Sequence, residues 1–164
     1  MVEKFELKMI TTGGLEAAAA RAEHYRLLNQ PNLAQSICHD ILELDPGNQR
    51  ALVALILAMS DEFATSGSSV NGARAYANQL TNDYQRHYFN GIIAERQARA
   101  LMSRGPSAAS AYDVFRDAMD HFEMAEQVRP QGVDDAILRW NACARTIHDA
   151  NLRPPPPDVE MGLE

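Results

Sequence analysis

The sequence predicts an all-α protein made of antiparallel helix pairs, with about seven helices in all. Three observations carry that prediction. Apolar residues recur at three- and four-residue spacing through most of the 164 residues. Runs of alternating β-branched residues, the mark of half-buried strands, are missing. Finally, the periodic segments are separated by breaks of a few residues rich in Pro, Gly, Asn and Ser.

The first helix follows Gly13-Gly14 and places Leu15, Ala18, Ala22, Tyr25 and Leu28 near one face. Asn29 and Gln30 form a short turn, and Pro31 stands where a first helical residue tolerates proline. It opens a second helix with the stripe Ala34, Ile37, Cys38, Ile41 and Leu44. The stretch LELDPGNQRAL, residues 42–52, stops that helix and starts another at once. Pro46 disfavours helical geometry at Asp45, Gly47 can take positive φ, and Asn48 can cap the third helix. Leu52, Leu55, Ile56 and Met59 form its stripe, and it is expected to run to about Phe63.

The stretch TSGSSVNG, Thr65 to Gly72, has loop composition, and a short helix is expected from about Ala73 to Leu80. A longer one begins near Asn82 and reaches Ser103, where Arg104-Gly105-Pro106 breaks it. Ser107 is a cap candidate for the helix AASAYDVFRDAMDHFEMAEQV, which Pro130 to Gly132 ends. A last helix, Val133 to about Asn151, carries acids in its first turn, where the helix dipole favours them. The chain therefore divides into an N-terminal extension (1–14), a helical domain (15–151) and a Pro-rich acidic tail (152–164), expected to be extended or disordered.

Charge narrows the function. A net charge of −7 argues against nucleic acid or an anionic membrane surface, which need clustered Lys and Arg. The longest apolar stretch, ALVALILAM at 51–59, is about half the roughly 20 residues that span a bilayer, and the first fourteen residues lack a secretory pattern. Cys38 and Cys143 sit in apolar periodic segments and read as buried thiols of a reducing, cytoplasmic setting. His39 and Glu43 stand one helical turn apart and His24 adjoins Glu23, but no third ligand converges, so no metal is expected. The chain has no GxSxG, Walker or GxGxxG motif, and nothing local activates Ser66, Ser68 or Ser69. A non-catalytic protein without cofactors is the expectation.

Residues 15–48 resemble a tetratricopeptide repeat, in which an aromatic late in the first helix precedes A-x3-F and a closing Pro over about 34 residues. Tyr25, Ala34, Cys38 and Pro46 take those places, with Cys38 where an aromatic is expected. Ala118, Phe122, Ala125 and Pro130 repeat the second half, while Ala73, Ala77 and Leu80 match more weakly. The resemblance covers roughly 15–130 and implies an α-solenoid of two and a half to three repeats with a capping helix. Stretches such as EHYRLLNQPNLAQSICHDILELDPGNQRAL are also similar to small bacterial repeat proteins.

By that resemblance the chain is a scaffold or adaptor holding a peptide or helix of a partner protein in a concave groove. The groove would be lined from the first helix by Ala19, Glu23 and Arg26, from the third by Arg50, Val53 and Leu57, and from the long helix by Tyr88, Glu95, Arg96 and Arg99. Partner contact is expected from Arg26, Arg50, Tyr88, Glu95, Arg96 and Arg99, because Arg and Tyr combine contact area with directional hydrogen bonds. Repeats that clamp a chaperone's C-terminal carboxylate carry Lys and Asn where this chain has Ala19 and Glu23, which argues against that ligand. The alternatives are an export-type chaperone and a self-assembling structural protein. For Trp140 on the capping helix the choice lies between packing over the array's end and a homodimer contact.

Overall fold

The computed structural model describes residues 2–65, 68–105 and 108–157, the side chains of 108–110 excepted. Ser66, Pro106, Ser107 and the tail from 158 onward, all singled out by sequence, lie outside these residues.

How the helices end decides how closely they pack. A helix leaves its first N–H and last C=O groups without partners, and short side chains or a left-handed residue can satisfy them within the turn itself. After α1 (Leu15–Leu27), Asn29 takes φ 60°, and the Gln30 amide returns to the Tyr25 carbonyl at 2.9 Å, so α2 (Pro31–Leu44) starts immediately. Asn48 caps α3 (Gln49–Ser60), its Oδ1 accepting from the Ala51 amide at 2.9 Å. Ser69 caps α4 (Val70–Ala77) in the same way at 2.8 Å, and Asn82 caps α5 (Asp83–Ser103) at 2.9 Å. α6 (Ala108–Gln127) and α7 (Asp135–Asp149) complete seven helices, with no strand among the described residues. A single 3-10 turn, Thr12–Gly14, precedes α1.

Several boundaries differ from the sequence expectation, α4 ending at Ala77 instead of Leu80 and α7 spanning Asp135–Asp149 among them. α3 ends at Ser60, whose hydroxyl turns back to the Leu57 carbonyl at 2.8 Å; Phe63 still packs into the core from the turn that follows. α4 begins at Val70 rather than Ala73, because Ser69 supplies the cap. Beyond α7, Asn151 takes φ 49° and the Leu152 amide reaches the Ile147 carbonyl at 2.9 Å. That closure buries Leu152, so the tail is anchored at its first residue, and 153–157 then run exposed without regular structure.

Each helix packs on the next in the chain, and α1 meets α3 as α3 meets α5. The result is an all-α solenoid of antiparallel pairs in which α1, α3 and α5 stand side by side. One continuous apolar cluster runs from Ala22 through Leu55, Ile93 and Phe122 to Leu152. A smaller one joins Ile10, Leu15, Ala19, Ile41 and Ala51 at the N-terminal end. The widest contact is between α5 and α6.

Candidate protein-interaction face

The side-by-side placement of α1, α3 and α5 puts the sequence-predicted contact residues on neighbouring helices, and the structure ties several of them together. Asp61, the residue capping the C-terminal end of α3, lies between two guanidinium groups. Arg26 of α1 donates to it through Nε at 2.6 Å and Nη2 at 3.0 Å, and Arg96 of α5 through Nη1 at 3.1 Å. One carboxylate thus links three helices. Asp61 was not among the residues picked from sequence, since its helix was expected to continue past it.

Arg50 of α3 forms a bidentate pair with Glu23 of α1 at 2.7 and 2.9 Å. The fork-to-fork hydrogen bonds lower the Glu23 carboxyl below its ordinary range and raise the Arg50 guanidinium above its own. Both side chains are roughly half exposed, so the pair is accessible to a competing ligand and worth little to stability.

Glu95 of α5 is only 1% exposed. Its two oxygens accept from Arg99 one turn along at 3.0 Å and from Arg139 of α7 at 3.1 Å. Burial would lower the Arg139 guanidinium, but the Glu95 charge and hydrogen bonds to Tyr88 and Glu95 outweigh it, and the net shift is upward. Arg99 also reaches the Thr146 hydroxyl of α7 at 3.3 Å, and its guanidinium lies 5.5 Å from the centroid of the Phe115 ring. Glu95 therefore cannot meet a partner directly; it positions the two arginines above it.

Tyr88 belongs to an aromatic run rather than standing free. It stacks on Tyr84 at 5.6 Å, meets Phe89 edge-on at 5.3 Å and touches Phe122 at 5.9 Å. Ala19, expected toward the groove, is buried in the smaller cluster because α2 and α3 close over that side of α1. Val53 and Leu57 are partly buried against the main core.

Trp140 packs against the main core from α7 and donates its Nε1–H to Glu123 of α6 at 3.0 Å. It lines a shallow cleft of about 270 Å³ with Tyr112, Met119 and Ile147. Cys38 and Cys143 are free, buried thiols; burial first, then a neighbouring carboxylate, pushes each up to about 12. Both are protonated and inert at neutral pH. No group of three or more His, Cys, Asp or Glu side chains converges as a metal site among the described residues, and no described helix is long and apolar enough to cross a membrane.

No family model matches the chain, and neither a curated protein nor a solved structure matches it at the level required for significance.

Proposed function

We propose that the chain is a cytoplasmic, tetratricopeptide-like adaptor that holds a peptide or helix of a partner protein across α1, α3 and α5 by non-covalent recognition. One observation carries the reading. Arg26 and Arg96 share one carboxylate, Arg99 and Arg139 of α7 share another, and Arg50 pairs with Glu23, so this face with the adjoining α7 presents five guanidinium groups against the three acids they bind on an otherwise acidic chain. Arginines held in that way are pre-ordered donors that a partner's carboxylates can engage, which favours an acidic segment as ligand. Half-buried Tyr88, Val53 and Leu57 supply apolar contact beside them.

The test is partner capture from cell extract with the intact chain and with Arg50→Ala/Arg99→Gln, which removes two exposed charges while glutamine keeps a donor for the buried Glu95 carboxylate. Circular dichroism checks that the variant is folded. Partners held by the wild type and lost by the variant place recognition on this face; equal capture by both overturns it. A dedicated export-type chaperone is the second reading, favoured by the same apolar patch. It predicts that co-expression raises the soluble yield of one otherwise insoluble protein, whereas an adaptor binds a partner that is stable alone.

A further inference from the structure

The N-terminal segment, VEKFELKMIT, is unlike the rest of the chain. From Lys4 to Met9 charged and apolar side chains alternate with period two, the spacing of a strand, in a molecule that has no strand among its described residues. Phe5, Leu7 and Met9 fall on one face and are 81, 89 and 71% exposed. Glu6 and Lys8 fall on the other, also exposed, and neither makes an ion pair among the described residues. The backbone of 3–10 likewise makes no hydrogen bond to other described backbone. Yet the segment's end is fixed: Ile10 packs into the smaller apolar cluster, and Thr11 is extended at φ −89°, ψ 150°. Leu7, Lys8 and Met9 run beside His39, Asp40 and Glu43 of α2 across a cleft of about 260 Å³, so the stretch is anchored yet keeps its apolar side chains exposed and its amides unpaired with described backbone, the character of an edge strand.

The sequence of the segment says which partner. In an antiparallel pair with a second copy, centred on Leu7, Leu7 faces Leu7 of the second copy, Phe5 faces its Met9, and both pairs lie on the apolar face. Glu6 then faces Lys8 on the other side, twice by symmetry. Moving the axis to Glu6 sets Glu6 against Glu6 and Lys4 against Lys8, and moving it to Lys8 sets Lys8 against itself. A shift that offsets the faces puts apolar residues opposite charged ones. Parallel in-register pairing juxtaposes like charges throughout. Within residues 5–9, the stretch before Ile10 turns into its own apolar cluster, only the Leu7-centred antiparallel register satisfies both faces, since opposite charges and apolar pairs stabilise directly facing positions and like charges oppose them.

We infer that residues 5–9 form a self-complementary strand through which two copies of this chain associate as a two-fold dimer, with Leu7 on the axis. The interface is independent of the groove across α1, α3 and α5, and it leaves Trp140 in its place against α6.

The experiment is sedimentation equilibrium of the full chain over a micromolar to millimolar series, for wild type, Glu6→Lys, Lys8→Glu and the double exchange. Each single exchange turns two favourable facing pairs into like-charge pairs and is expected to weaken dimerisation about tenfold. The double exchange restores the facing pairs and should return the dissociation constant to near the wild-type value. Both positions are exposed, and circular dichroism checks that the helical fold is unchanged. As a register check, Leu7→Cys should form a disulfide with its own copy on mild oxidation, whereas Phe5→Cys alone should not, because it faces Met9. A wild-type chain that stays monomeric throughout, leaving the segment for another protein's sheet edge, overturns the proposal. So does a dimer indifferent to the single exchanges, or one that the double exchange fails to restore.

Discussion

Gly91 shows how far single residues set the packing. A Cβ built there lies 2.5 Å from Phe122 Cε1 and 2.7 Å from its Cδ1, closer than two carbon atoms can stand. The hydrogen of glycine lets α5 and α6 approach at the point where Phe122 is fully buried. Gly91→Ala should therefore lose about 1–3 kcal/mol to overpacking, although alanine is the better helix former by about 1 kcal/mol. Urea denaturation measures the change, and adding Phe122→Leu should remove most of it; an unchanged midpoint in the single variant would refute this account. Sequence reading could assign Gly91 a small-residue position in a helix, but not the ring it faces, because that contact joins separate helices. Arg26, Arg50, Arg96 and Arg99 were identifiable as candidates from residue type and helical spacing. Asp61, the shared partner of Arg26 and Arg96, and Arg139, which shares Glu95 with Arg99, were not, since one sits in a turn that the periodicity ran through and the other on the capping helix.

Helix boundaries were the most legible feature. The Asp45 to Asn48 break and the cap at Asn48 follow from local chemistry, and α2 and α5 begin within a residue of where sequence places them, the cap at Asn82 coming from the structure. The closures at Asn29 and Asn151 were missed as such, because asparagine in the left-handed region ends a helix less recognisably than glycine does. Asn48 bears two loads, accepting from Ala51 and donating to Asp45 Oδ2 at 3.1 Å, so it holds α3 in register with the turn from α2. Asn48→Ala should cost about 1 kcal/mol, with Asn48→Ser recovering most of it, as read from denaturation midpoints. Equal losses in the two variants would show that the cap is not the source.

In an array whose elements contact mainly their chain neighbours, cooperativity is local and the ends open first. α7 packs chiefly on α6, whereas α2 is held between α1 and α3. Cys143 lies on the first and Cys38 on the second, both buried and protonated in the folded chain. In urea below the main transition, Cys143 should react with a thiol reagent faster than Cys38, each followed separately by mass spectrometry; equal rates would mean that the molecule opens as one unit. The shared carboxylates have a different consequence at this scale. A net charge of −7 repels an acidic partner at long range, while the arginines around Asp61 and Glu95 attract it at contact. Screening acts on the first over the Debye length and on the second only after docking. Added salt should therefore quicken the approach of such a partner while shortening its stay, so the association and dissociation rate constants would rise together.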